Sequence, residues 1–578
     1  MRTRKCLGIA APLALMTLVV SGCGGTSGNG AARGATAQAP GGAAPVVDAR
    51  VGGDLTFGAD QEPTGFNENT DKDNGTSTRN IMEAVLPNTA IGQPDLSYKF
   101  NRDLLAADPT VVSTSPEVIE YKIRPEAKWS DGVDINVDDF VFDWQSQNGR
   151  DPRFKGYASP SNTGYGDVTS VEAVNGDKKD VRVTYARPFG DWQSIFSANG
   201  LLPAHYLKAL AAAKFGGDIG RAWYDGLDTS MPISGGPFKL QSYKQGDSAV
   251  LVRNDAYYGP KAKLDRIIFR FLPESTTQPQ ALQSGEVGVI YPQPQLDLVN
   301  QVKSFPRVSS QTSTGASYEH IDFNLMRPGL DDINVRRAIA LGVNRPALIS
   351  KTIKQFSDQA QPLGNRIWLN NQKHYVDHSA GYGNGDSAAA NKALDDAGYV
   401  RGRDGIRVKG RVRLSFKFTT TAGNGLRVTT FNLFQAQMKP LGIDIQQDIR
   451  PSKVIFPDLT AHKFDLALFA WVGTPFPVSS NKSLYSSDAS GLPAGQNYGY
   501  INDPKVNRLF DQAGAELDPG KSAALGNEID QALWDGMYTI PLFQKPTFIA
   551  YDSKYVNIHD NSTSDGPSYN AGTWGLTK

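Results

Sequence analysis

Apolar and polar residues alternate along Asp54-Leu55-Thr56-Phe57, between Gly52-Gly53 and Gly58, the two-residue period of a half-buried strand set between glycines. Val118–Ile123, Val250–Val252 and Ile267–Phe271 read as further strands, rich in β-branched and aromatic residues. Helical spacing appears at Asn136–Trp144, where Asn136 supplies a polar cap. It returns over Val335–Ile349, where Ile339, Val343 and the pair Ala347 and Leu348 share a face and Asn334 is available as a cap. Ala388–Ala397 predicts a helix closed by Gly398, a natural residue just past a helix end. Asp518-Pro519 opens another, with Leu525, Ile529, Leu533 and Met537 on one stripe. Strands and helices interleave throughout without an internal repeat, which predicts α/β architecture with mixed sheets rather than a sandwich or a bundle.

The first 50 residues follow another pattern. Arg2, Arg4 and Lys5 precede an apolar run, Leu7–Val20, too short for a membrane span of about 20 residues, as in a signal peptide. The run closes in Val20-Ser21-Gly22-Cys23, which resembles the bacterial lipobox, whose cysteine receives diacylglycerol and becomes the mature N-terminus. Residues 1–22 are therefore expected to be a lipoprotein signal peptide and Cys23 a lipid anchor. From Gly24 to Pro45, 19 of 22 residues are Gly, Ala, Ser, Thr or Pro, so residues 23–50 are expected to be a flexible tether.

A chain of 578 residues exceeds the size at which one hydrophobic core stops growing, so two lobes are expected. Its 59 basic and 59 acidic residues balance, leaving no global field for nucleic acid. The only cysteines, Cys6 and Cys23, lie in the leader region, which removes disulfides, zinc thiolates and cysteine nucleophiles from the body.

Ordered landmarks run through that body: Trp129-Ser130-Asp131-Gly132, Asp138–Trp144, Ser234–Leu240, Arg253–Gly259 and Leu282–Glu286, then Phe323–Leu325, Val335–Ile339, Leu394–Tyr399, Leu441–Ile445, Phe464–Trp471 and Ile540–Phe543. In these and in their order the chain resembles the family 5 extracellular solute-binding proteins, the oligopeptide and dipeptide binders of ABC importers, over about residues 52–560. The landmarks themselves are read as structural, Trp129 and Trp144 as core anchors and Gly235-Gly236-Pro237 as a tight turn of unusual φ. The resemblance implies a two-lobed periplasmic-binding-protein-like fold, type II in its enlarged peptide-binder class, with mixed sheets and a hinge. It implies lobe 1 at 51–316 plus 547–578, lobe 2 at 317–546, and a hinge near Thr314–Tyr318 and Lys545–Ile549.

Function, on the same resemblance, is capture of a peptide or peptide-like small solute between the lobes for delivery to ABC transporter permease subunits. The protein is then a monomer tethered to the extracytoplasmic face of the membrane, without cofactor or catalysis. One contacting loop is expected at Thr70–Gly75, placing Asp71, Asp73 and Asn74 near the cargo. The other follows Trp471, with Trp471 and Phe476 as aromatic contacts. Relatives of the enterobacterial oligopeptide type carry an aspartate where this chain has Thr474, and a hydroxyl makes no charge-assisted bond to a peptide ammonium. Either Asp71 or Asp73 serves instead, or the cargo has no free amine there; haem, a metal chelate, an opine, an oligosaccharide, or an envelope-regulatory role are the alternatives. Gly288 also stands where relatives have aspartate.

Chemical motifs are sparse. His374 and His378 lie beside Asp377 but lack a third ligand and run into a glycine-rich loop. Asp71–Gly75 opens like a calcium loop, yet Met82 stands at the twelfth position. Gly520-Lys521-Ser522 has Ala515 where a phosphate loop needs its first glycine. Asp138-Asp139 and Asp331-Asp332 suit helix starts.

Overall fold

The computed structural model describes residues 45–578 apart from Ala198, Ala489 and Ala494; the signal peptide, Cys23 and most of the tether lie outside the described residues. Ten strands build the main sheet: β1 (Asp54–Ala59), β2 (Phe238–Lys244), β3 (Ser248–Arg253), β4 (Arg266–Phe271), β5 (Val289–Ile290), β6 (Val308–Phe323), β7 (Ser415–Thr421), β8 (Asp444–Arg450), β9 (Leu466–Val472) and β10 (Thr539–Asp552). Their order is β8-β7-β9-β6-β10-β5-β1-β4-β3-β2, with parallel and antiparallel pairs mixed. A separate four-stranded antiparallel sheet comes from residues 110–185.

The long strands β6 and β10 cross the middle antiparallel, and their register breaks between Thr314 and Tyr318. Gly315 lies at the break, where a Cβ would collide with the Ser562 side chain. Apolar residues segregate on either side. One core gathers Phe57, Trp129, Phe140, Trp223, Phe269 and Trp574. A second holds Phe323, Ile339, Phe418, Phe434, Leu468 and Leu542, and a third lies between the C-terminal helices around Phe510, Ile529 and Leu533. Burying a residue such as Phe140 completely stabilises the fold by about 1.5–3 kcal/mol.

Local chemistry explains the helix ends. Val137–Gln147 starts with a reciprocal capping box: Asn136 accepts from Asp138 N, and Asp139 accepts from Asn136 N at 3.1 Å and from Trp129 Nε1 at 3.2 Å. Pro519–Asp535 begins on Asp518, which accepts from Lys521 N, but Met537 lies beyond its last turn. The single helix expected over Val335–Ile349 is two. Ile333–Gly342 is capped by Asp332 rather than Asn334, the chain extends at Val343, and Asn344 caps Arg345–Lys351 with Pro346 in its first turn. Gly235 and Gly236 are also reassigned, since neither has positive φ. A Cβ on Gly236 would stand 2.6 Å from Ala84 O, so close approach of two backbones selects glycine. Gly288 has a comparable reason, because any side chain there meets the Tyr555 ring.

Candidate functional site

Strand β9 carries Trp471 between two smaller apolar clusters, one around Phe469 and Tyr498 and one around Tyr318 and Leu363. Opposite Tyr318 of β6, its indole stacks on His320 (ring centres 5.6 Å apart, planes 15°) and Tyr498 (5.6 Å, 20°), with Phe469 edge-on at 4.9 Å. Trp471 remains half-buried, and its Nε1 is out of reach of water and has no hydrogen-bond partner among the described residues. His320 is fully buried, with Nε2 at 3.2 Å from Asp322 Oδ1. The chain then turns: Thr474 Oγ1 accepts from Phe476 N at 3.0 Å, and the Phe476 ring lies 5.1 Å from Tyr98 before the helix Pro477–Tyr485 begins. Leu96 and Tyr375 pack with Trp471 around Tyr318, so segments distant in sequence meet here.

The loop Thr70–Gly75 precedes the short helix Thr76–Met82. Asp71 is half-buried and accepts the Tyr224 hydroxyl at 2.7 Å. Asn74 Nδ2 donates to Glu68 O at 2.9 Å. Asp73 is buried against Gly65, whose Cβ, if present, would stand 2.5 Å from Asp73 Oδ2. Among the described residues neither carboxylate oxygen of Asp73 has a hydrogen-bond partner; the nearby Thr64 and Thr70 hydroxyls donate to Lys72 O and Asn67 O. Beneath the loop, buried Arg79 pairs with Glu68 at 3.1 Å, Glu83 at 3.2 Å and Asp565 at 2.6 Å. Asp565 also accepts from Gly92 N, and Ser564 N donates to Gly473 O at 3.0 Å, so the C-terminal segment ties this cluster to the Trp471 loop.

Burial, only partly offset by Arg79, raises the Glu68 carboxyl to about 7; burial likewise raises Asp73 to about 7 and Glu83 well above its usual range. A carboxyl whose folded value lies above its unfolded one contributes stability that is complete below about pH 4 and lost as pH rises to about 7. Glu68 and Asp73 are therefore expected to lower stability by up to about 1.4 kcal/mol per pH unit each across that window. Urea melts at pH 5 and 7 of the chain and of its Glu68→Gln variant measure this, with the flatter profile expected for the variant.

Beside the Trp471 loop opens a cavity of about 440 Å³. One wall comes from Asp95, Leu96, Gly190 and Asp191; the other from Trp368, residues 371–374, Pro475, Pro477, Val478 and residues between 516 and 523. Trp368 and His374 face each other at 5.1 Å. Gly190 N donates to Gly514 O at 2.8 Å, and a Cβ on Gly190 would strike Glu516 O, so the walls touch at this point. Asp191 accepts from Ser479 N at 3.3 Å, in the first turn of the helix Pro477–Tyr485. Burial pushes the Asp191 carboxyl up.

Of the residues singled out from sequence, Trp471, Thr474 and Phe476 lie together and adjoin this cavity through Pro475. Asp71 is held by the Tyr224 hydroxyl, on the side of the first core. Asp73 and Asn74 face into their own loop. Asp191, Glu516 and Trp368 were not anticipated, and no local pattern marks them.

Residues 102–492, more than half of the chain, match the family described as bacterial extracellular solute-binding proteins, family 5, middle region. The oligopeptide-binding protein OppA of Mycobacterium tuberculosis is 28% identical over 523 residues, 89% of this chain and 83% of that one. The periplasmic EDTA-binding protein EppA superposes with TM-score 0.82 at 29% identity, covering 92% of this chain and 98% of EppA. The oligopeptide-binding protein AppA of Bacillus subtilis, solved with a nonapeptide, shares the fold at TM-score 0.79 and 20% identity, over 92% and 100% of the two chains. The landmarks from Trp129 to Trp471, the mixed α/β sheet and these likenesses agree, and the chain belongs to the bacterial extracellular solute-binding proteins, family 5.

Proposed function

We propose that the protein is a lipoprotein, anchored through Cys23 on the extracytoplasmic face, that captures peptides or peptide-like solutes in a cleft and delivers them to an ABC permease. Lobe 1 is residues 51–316 with 547–578, lobe 2 is 317–546, and β6 and β10 hinge where their register breaks. The observation that carries this reading is the cavity beside Trp471, whose walls come from opposite sides of that boundary. Separate apolar cores on the two sides support rigid halves, and closing such halves on a solute makes no bond and breaks none. Trp471, Phe476, Thr474 and Asp71 are the proposed contacts, with Asp73 and Asn74 shaping the loop beside them. Among the described residues no helix is long and apolar enough to cross a membrane, and in this reading the lipid on Cys23 supplies the attachment.

Protein stripped of bound solute is expected to gain about 2.7 kcal/mol of stability from a cargo at 100 times its Kd. Thermal melts against a library of tri- to nonapeptides test this, and no shift with any member would remove the peptide assignment. Trp471→Ala is expected to abolish the shift while lowering the ligand-free midpoint by only a few degrees; the reverse ordering would place the indole in the core alone. A metal chelate is the second reading, favoured by the 29% identity to an EDTA-binding protein. Mass spectrometry of the solute that copurifies separates the two.

A further inference from the structure

We propose that the cavity beside the Trp471 loop is a cation subsite, in which Asp191 and Glu516 receive a side-chain ammonium or guanidinium group of a basic peptide, or an ammonium group of a free polyamine. The proposal rests on the solute-binding reading above and narrows it to a class of cargo.

Four charged side chains line the cavity, and among the described residues none has an ion-pair partner. Asp95 and Lys373 stand exposed at the rim, where water screens them and their charges oppose. Asp191 and Glu516 are half-buried in the interior, and both are acidic. Each accepts from a backbone N–H: Asp191 from Ser479 N at 3.3 Å, and Glu516 Oε1 from Asp518 N at 2.9 Å. Among the described residues no Lys or Arg pairs with their other oxygens. Two buried acids elsewhere are paired, Asp530 with Arg366 at 3.1 Å and Glu319 with Arg427 at 2.9 Å, whereas Asp139 and Asp143 are held by hydrogen bonds from Trp129, Ala204, Gln147 and Tyr165. The cavity is thus a place where negative charge is concentrated and left without a partner from this chain.

The rest of the lining suits the stem behind a cationic head. The Trp368 and His374 rings stand 5.1 Å apart, and Pro475, Pro477 and Val478 offer an apolar floor, as an alkyl chain ending in an ammonium group requires. Asp191 has a further consequence. The same carboxylate caps the helix Pro477–Tyr485 from across the proposed interlobe boundary, so a cation held there neutralises a group that also joins the walls. Polyanionic solutes are disfavoured by the same charges, which separates this subsite from a chelate site.

Calorimetric titration of ligand-stripped protein at low salt tests this with four probes: trilysine, trialanine, triglutamate and spermidine. Trilysine is expected to bind at least tenfold more tightly than trialanine, with the advantage shrinking as salt rises, and triglutamate not at all. In the double variant Asp191→Asn, Glu516→Gln, whose amide oxygens still accept the two backbone bonds, trilysine falls to within twofold of trialanine and trialanine is unchanged. Spermidine binding that the double variant loses, without peptide binding, also upholds the cation subsite and assigns it to polyamines, while ending the peptide reading. Equal affinities for trilysine and trialanine in the unaltered protein, or a preference that survives the double substitution, overturn the subsite and leave the peptide reading standing. Failure of all four probes overturns both.

Discussion

Arg79→Met is expected to lower the stability of the folded chain by about 3–5 kcal/mol at pH 8 and by less than half of that at pH 5. Arg79 is the one cation among three buried carboxylates, Glu68, Glu83 and Asp565, and it is 3% exposed. With the guanidinium gone, all three must either ionise without a partner or hold protons. Ionisation in a dry site is the costlier state, so the already raised Glu68 and Glu83 carboxyls rise further above their unfolded values, and the stability they carry drains away as pH climbs. At pH 5 Glu68 and Glu83 retain protons and a methionine of similar length fills the space, leaving chiefly lost hydrogen bonds. Urea midpoints at the two pH values measure the difference. Equal losses at both would mean that Arg79 acts through packing. Because Asp565 also holds Gly92 N while Ser564 holds Gly473 O, the variant is expected to loosen the Trp471 loop at high pH as well.

That cluster illustrates what the sequence discloses and what it hides. Elements governed by neighbours a few residues apart were legible: Asn136 and Asp139 announce their capping box within four positions, and Asp518-Pro519 announces its helix start. Val335–Ile349 was misread because apolar spacing continues across the break, although Asn344 and Pro346 carry a second cap and first-turn proline that could have divided it. The family landmarks gave the fold because most are packing positions; Trp129, for one, is completely buried. The same resemblance singles out the aromatic loop. Arg79 and Asp565, by contrast, are 486 residues apart, and Asp191 meets Ser479 across 288. No periodicity encodes such pairs, since only chain topology brings β1, β6 and β10 into one sheet. For the same reason Asp73 looked like a contact in sequence and lies buried against Gly65 in the fold.

Glu319→Ala is expected to cost about 3–5 kcal/mol, and the triple variant Glu319→Leu, Arg427→Met, Lys545→Met to cost less than that single change. Glu319 is buried on β6, with Arg427 Nη2 at 2.9 Å and Lys545 Nζ at 3.5 Å. Burial opposes its charge, but the two cations more than offset this and hold the carboxyl below its ordinary range, whereas burial pulls the Lys545 amine down. Removing the acid alone strands two cations out of water; replacing all three removes the desolvation cost with the charges. If the triple variant is as unstable as the single one, the network contributes more than charge balance, and packing around β6 must be the reason. The network also reaches outward, from Lys545 to Gln293 and from Gln293 Nε2 to Asp60 Oδ2 at 3.0 Å, so it crosses the proposed hinge from residues of lobe 2 to the end of β1. The triple variant is therefore expected to recover stability without recovering cargo affinity, because its methionine at position 545 no longer grips Gln293. Urea melts and cargo titrations on the same preparations separate the two effects, and full affinity in the triple variant would remove this chain of contacts from the closing mechanism.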